Sequence, residues 1–139
     1  MMNEPLSSIM ISDVVTVTPK DNMTTVRKLL ADNHFHHLPV VEGETLVGII
    51  STHDLLKANL NCDQYDKILV KEVMTKSIAR LGPNEHIGAA AQVFLRQLFQ
   101  ALPIVDDDDK LLGIVTTIDI LKYNFFKEYP DDPFVKANS

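Results

Sequence analysis

The stretch LPVVEGETLVGIISTHDLLK, Leu38 to Lys57, returns as LPIVDDDDKLLGIVTTIDILK, Leu102 to Lys122. Upstream of the polar turn the copies align at an offset of 64 residues: Met10 falls on Met74, Pro19 on Pro83, Phe35 on Phe99 and Pro39 on Pro103. Beyond the turn the offset becomes 65, because EGE is one residue shorter than its DDDD counterpart; Gly48 then meets Gly113 and Asp54 meets Asp119. A one-residue change inside a polar turn is what a surface loop tolerates. Two copies of so long a period do not suit a solenoid. Duplication of one compact unit is the simpler reading.

Each copy carries the same order of patterns. A β-branched run, Val14 to Val17 or Ile78 to Leu81, ends at a proline and reads as a strand. A helical stripe follows: Met23, Val26 and Leu30 in the first copy, and Ile87, Ala90, Ala91, Phe94, Leu95 and Leu98 in the second. Two short apolar strands joined by a tight polar turn then suggest a hairpin, Leu38–Val41 with Leu46–Ile50 in the first copy. Ser51-Thr52 and Thr116-Thr117 open a second helix, where a hydroxyl can cap free N–H groups. The expected fold is therefore α/β (α+β), with two β-α-β-β-α repeats packed sheet to sheet about a pseudo-two-fold axis. Neither half buries much surface alone, so a shared core is expected, with one cleft per copy. We expect repeat 1 over residues 1–59, a connector over 60–70, repeat 2 over 71–126 and a polar tail over 127–139, a helix end followed by loose chain. The residues before Ile9 are expected to cover the other half.

Composition narrows the class. Hydrophobic residues make up 45% of the 139, enough for a folded interior. No apolar run reaches the ~18 residues of a membrane span, and the N-terminus shows no secretory pattern. The net charge of −6 disfavours nucleic acid and anionic membrane as partners. One cysteine, Cys62, cannot form an internal disulfide, which fits a reducing cytoplasm.

The chemistry-bearing stretches are GIISTHD, Gly48 to Asp54, and GIVTTID, Gly113 to Asp119. Each sets a buried strand directly before a helix start, where unpaired N–H groups and a partial positive charge suit phosphate. Ser51 and Thr116 add hydroxyls. Asp54 and Asp119 can accept hydrogen bonds from a ribose diol, as acidic residues do in other nucleotide sites. An ordinary capping box explains the same residues, and both readings stay open. The run His34-Phe35-His36-His37 admits a metal site or a solvated surface pair. Alternation along a strand puts His34 and His36 on one face and turns His37 away, so we expect no metal site. Asp106 to Asp109 lacks the ligand spacing of a calcium loop and reads as a solvated turn.

The pattern M-x(8)-P, helix, LPVV, turn and LVGIIS-x-x-D-LL resembles the cystathionine-β-synthase (CBS) domain. The whole resembles a tandem CBS pair, or Bateman module, over residues 8–58 and 72–124. The resemblance implies clefts that bind AMP, ADP or ATP, with S-adenosylmethionine or dinucleotides as alternatives. It implies ribose contacts from Asp54 and Asp119, with Ser51 and Thr116 near ribose or phosphate. Backbone at Val15-Thr16 and Ala79-Arg80 would face the adenine edge, and Pro39 and Pro103 would line the base pocket. Two departures stand out. His53 and Ile118 occupy the position directly before the aspartate, where family members that bind nucleotide strongly often carry a second hydroxyl. His36-His37, resembling the His-Arg pair of nucleotide-sensing members, is matched by uncharged Gln100-Ala101. His36, His37 and His53 therefore join the candidates, and the clefts are expected to be unequal, with one binding phosphate well. Arg80 is either a second phosphate anchor or an exposed cation. Resemblance further implies a disc-like homodimer through the second helices, with Leu55, Ile120 and Phe125 as contact candidates.

The expected function is a stand-alone regulatory module that senses an adenosine nucleotide and acts through its dimer or a separate effector protein. The alternative is a structural interaction module with vestigial clefts. An enzyme is the weakest reading, since no nucleophile–base pair, metal motif or Walker loop is evident.

Overall fold

Each repeat builds its sheet from the apolar hairpin. In the computed structural model, which describes residues 2–33, 35–57, 64–97 and 99–138, β1 (His37–Glu42) pairs antiparallel with β2 (Thr45–Ser51). In the second repeat β3 (Ala101–Val105) pairs with β4 (Leu111–Thr116) in the same way. Both ladders slip at the same point, between Val40 and Val41 and between Ile104 and Val105. In the shorter turn Gly43 takes φ 62°, a conformation that suits glycine; in the longer one Asp109 takes φ 64°. The turns meet across the pseudo-axis. Leu46 N–H donates to the Asp109 carbonyl and Leu111 N–H to the Glu44 carbonyl, each at 2.9 Å.

The strands expected at Val14–Val17 and Ile78–Leu81 shrink to one parallel bridge apiece, Val17 with Val40 and Leu81 with Ile104. Proline is the reason. Val17 donates to Pro39 O and Val41 donates to Val17 O. The next rung on one side needs an N–H from Pro39, and on the other from Pro19, and neither has one. Pro103 and Pro83 bracket Leu81 identically.

The helices are α1 (Met23–Asn33), α2 (Thr52–Lys57), α3 (Val70–Val73), α4 (Ile87–Gln97), α5 (Thr117–Glu128) and α6 (Pro133–Ala137). α1 buries Met23, Val26 and Leu30, and α4 buries Ile87, Ala90 and Phe94. Leu95, expected in that stripe, is 80% exposed. It lies about 100° round the helix from Phe94, off the packed face. Leu98 lies outside the described residues. Of the tail, expected as a helix end followed by loose chain, Lys127 and Glu128 do end α5, but further on the chain forms α6: Asp132 accepts a cap bond from Phe134 N at 2.8 Å, Pro133 opens the helix, and Val135 is buried. No helix among the described residues is long and apolar enough to cross a membrane.

Each half is completed by the chain that precedes the other repeat. Leu6, in a short 3-10 turn (Leu6–Ser8), is fully buried among Ile87, Ala90, Phe94, Leu102, Ile104, Val115 and Ile120. Tyr65 and Val70 are buried in the first core with Met23, Val26, Leu30, Leu38 and Ile50, so described residues of the expected connector belong to that core. Leu6 and Val70 are equivalents at the offset of 64. Two further arm residues repeat the relation: Ile11 N donates to Ile114 O at 2.9 Å, and Thr75 N to Ile49 O at 2.9 Å. The opening residues thus cover the second repeat, as expected.

Candidate functional site

The exchanged arms and the hairpins leave two hollows, and residues of both repeats line each. The larger, about 440 Å³, is walled by His37, Ile49, Ser51, His53 and Asp54 from the first repeat. Thr75 to Ala79, with Lys76 excepted, and Phe99 to Pro103, with Leu102 excepted, close it from the other side. The smaller, about 220 Å³, is lined by Ile11, Asp13, Val14 and Val15, by Phe35, His36 and His37, and by Gln100, Ile114 and Thr116 to Ile118. The offsets of 64 and 65 carry nearly every residue of one lining onto the other: Ile49 onto Ile114, Ser51 onto Thr116, Ala79 onto Val15.

Local structure explains the aspartates. Asp54 Oδ2 accepts Ser51 N–H at 2.8 Å and Ser51 Oγ–H at 3.2 Å, while Asp54 N–H donates to Ser51 Oγ at 3.3 Å. Thr116 and Asp119 repeat the arrangement at 2.8, 3.0 and 3.3 Å. Both are reciprocal capping boxes, so that reading of the motif holds in each copy. A box occupies one carboxylate oxygen and leaves the other for a ligand. Asp54 also lines the larger hollow; Asp119 is not among the residues lining either one.

His37 pairs with Ser51 in the sheet and is half-buried. Burial, helped by neighbouring His36, pushes its pKa below 6.5, and Asp54 works against that shift. It borders both hollows; His53 joins the larger and His36 the smaller. His36 and His37 thus share the smaller hollow, although alternation along a strand was expected to turn His37 away; of the two, His37 also reaches the larger. His34 lies outside the described residues. Among the described residues no group of three or more His, Cys, Asp or Glu could hold a metal ion.

Six other candidates stand elsewhere or at one hollow only. Ala79 and Pro103 line the larger hollow and Val15 the smaller. Pro39 is buried in β1 and lines neither. Thr16, on the opposite side of the extended chain from Val15, faces a shallow recess with Val41 and Glu44. Arg80 turns away: its Nη1 donates to Asp109 Oδ2 at 2.8 Å, and it borders a groove beside Pro83. The turn aspartate thus accounts for the cation. Asp106 Oδ1 accepts Asp108 N and Lys110 N, both at 2.9 Å, as in an ordinary polar turn.

Sequence reasoning passed over Thr75, Ser77, Phe99 and Asp13 as lining residues. Their signal was available in the repeat itself, since Ser77 and Asp13 are equivalents just after Met74 and Met10.

The CBS domain family profile matches residues 6–61 and 70–125. The chain is 36% identical over 120 residues to the uncharacterised protein MJ1232 of Methanocaldococcus jannaschii, covering 86% of this chain and 39% of that protein. Across the first curated relatives, the chain spans 24% to 47% of their length. Among solved structures, CBSX2 in complex with AMP superimposes with a TM-score of 0.82 at 26% identity, covering 90% of this chain and 98% of that one. The CBS domain pair of protein MJ0100, in complex with 5′-methylthioadenosine and S-adenosyl-L-methionine, gives 0.78 at 27% identity, covering 88% and 97%.

Proposed function

The chain belongs to the CBS domain family as a tandem pair, and from that premise we propose that it is a regulatory module binding an adenosine derivative in the larger cleft. The observation that carries the reading is the 440 Å³ hollow between the repeats, with the Asp54 carboxylate on its wall. Its volume falls within the range of small-molecule sites, and its lining mixes apolar residues with a few convergent polar groups. Relatives of the same fold hold AMP, 5′-methylthioadenosine or S-adenosylmethionine. In this reading Asp54 Oδ1 accepts from the ribose diol, and Ser51, His37 and His53 lie towards the phosphate or its substitute. Ile78, Ala79 and Pro103 take the base. AMP, ADP, ATP and S-adenosylmethionine are the ligands to test.

Ligand binding regulates only if two states of the module bind it differently. We assign those states to pairing of the module, as a homodimer or with a separate effector protein. α5 supports a pairing surface: Ile118, Leu121, Phe125 and Tyr129 recur at helical spacing and are 56%, 63%, 36% and 55% exposed. Leu55 and Ile120, the other contact candidates, pack into the cores instead. The module acts as a binder rather than an enzyme, in a reducing compartment such as the cytoplasm.

Calorimetric titration with adenosine, AMP, ADP, ATP and S-adenosylmethionine tests the reading. Saturable heat with one or more of them, weakened at least tenfold in Asp54→Ala, is expected. No heat and no thermal shift at millimolar ligand would overturn it. The second reading, an interaction module with vestigial clefts, is favoured by the two capping boxes, which explain the aspartates without a ligand. It predicts that outcome with dimerisation intact.

A further inference from the structure

His37 and Gln100 line both hollows, so the imidazole stands in a shared wall. The hollows differ where the repeat makes them equivalent. The larger has Ser77 where the smaller has Asp13, and His53 where the smaller has Ile118. A phosphate in the larger cleft would meet a hydroxyl and two imidazoles; the carboxylate there, Asp54, keeps its charge but is held at the ribose end by Ser51 at 2.8 and 3.2 Å, and the 440 Å³ hollow has room to seat a phosphate away from it. In the smaller it would meet His36 and His37 but also Asp13. A hollow of about 220 Å³ keeps its occupant within one Debye length, roughly 8–10 Å, of that acid. Like charges at such range repel.

We infer that His37 is one phosphate-recognition group shared by both clefts, so that a chain binds a single phosphorylated nucleoside, in the larger cleft, and takes up a proton with it. This rests on the nucleoside reading above and deepens it. The groups facing His37 are His36 beside it, His53 and Asp54 from α2, and Asp13 across the smaller cleft. In the free protein, burial and His36 hold the proton off. An arriving phosphate favours the imidazolium, so binding draws a proton from solvent and strengthens as pH falls through the titration of His37. One imidazolium carries one charge. A second phosphate would find it already neutralised, with the first anion close by. An uncharged nucleoside has no such conflict and can fill the smaller cleft beside the nucleotide.

The test is calorimetry of the full chain with AMP and with adenosine near pH ~7, in two buffers of different ionisation heat. One AMP per chain is expected, with net proton uptake exceeding that of His37→Gln; the comparison cancels the ligand's own titration. Adenosine is expected to bind the AMP-saturated chain. Asp13→Ser is expected to strengthen a second AMP step roughly tenfold. Two AMP per chain of similar affinity, or equal proton uptake in His37→Gln, overturns the shared charge and leaves the nucleoside reading standing. Failure of both AMP and adenosine to bind overturns both. If His37→Gln does not fold, ring-proton NMR of the wild-type chain replaces it. AMP is expected to raise the His37 pKa and adenosine not; an unmoved titration overturns the inference.

Discussion

Asp54 and Asp119 occupy matching capping boxes, yet only Asp54 lines a cleft. Alanine at either should therefore cost about 1 kcal/mol of stability, as loss of a cap does. Thermal melts should show similar drops for the two variants, whereas ligand affinity should fall much further for Asp54→Ala. Equal losses of affinity would place the ribose contact elsewhere. His37 gives a second prediction at this scale. Its folded pKa lies below 6.5, so on acidification the unfolded chain takes up its proton first. The His37 contribution to stability is thus full above about pH 6.5, declines as pH falls through the folded pKa, and levels off below it. Melts of wild type and His37→Gln across that range should converge at high pH and separate on acidification. The sequence marked Asp54 and Ser51 as candidates, because a hydroxyl and a carboxylate three apart at a helix start can serve a ligand as well as a cap; His37 entered through the resemblance to the CBS family. It could not rank Asp54 over Asp119, since that depends on how far each hollow extends.

The exchanged arms govern the elements. A Cβ on Gly48 would stand 2.8 Å from Met74 Sδ and 3.0 Å from Thr75 O; on Gly113 it would meet Ile11 O at 2.8 Å and Met10 Sδ at 2.9 Å. Each sheet thus has a gap where the arm crosses it. Side chains are flexible, but the two carbonyls belong to the arm ladder and cannot give way cheaply. Gly48→Ala and Gly113→Ala should each cost about 1–3 kcal/mol, the range for overpacking, read as a lower denaturation midpoint. An unchanged midpoint would show that the arm lifts freely. Leu6→Ala should cost about 2–5 kcal/mol by opening a cavity among Ile87, Leu102 and Val115. The repeat made these glycines and Met10 and Met74 visible as matched positions. Their contact was hidden, because the partners lie in different repeats' segments and no local period links them. The missing first strands were legible in principle: Pro19 and Pro39 remove the flanking rungs, but only once the register of the parallel bridge is known.

At the scale of the molecule, a second repeat cut away from residues 2–11 lacks Leu6 and the Ile11–Ile114 hydrogen bonds. A fragment of residues 76–139 should be largely unfolded by circular dichroism, and a synthetic 2–11 peptide should restore helix; a folded fragment would refute the dependence. For pairing, Leu121→Glu with Phe125→Glu should abolish a dimer in light scattering while leaving the melt of the monomer close to wild type, since both side chains are exposed. Sequence alone determined the duplicated unit, the buried faces of α1 and the hairpins, and the capping boxes, because these follow from short-range periodicity and from side chains bonding to backbone three residues away. Tertiary structure alone decided which hollow is larger and that one imidazole borders both clefts. Those outcomes depend on how two similar halves meet, and distances between halves are written nowhere in the local pattern of either.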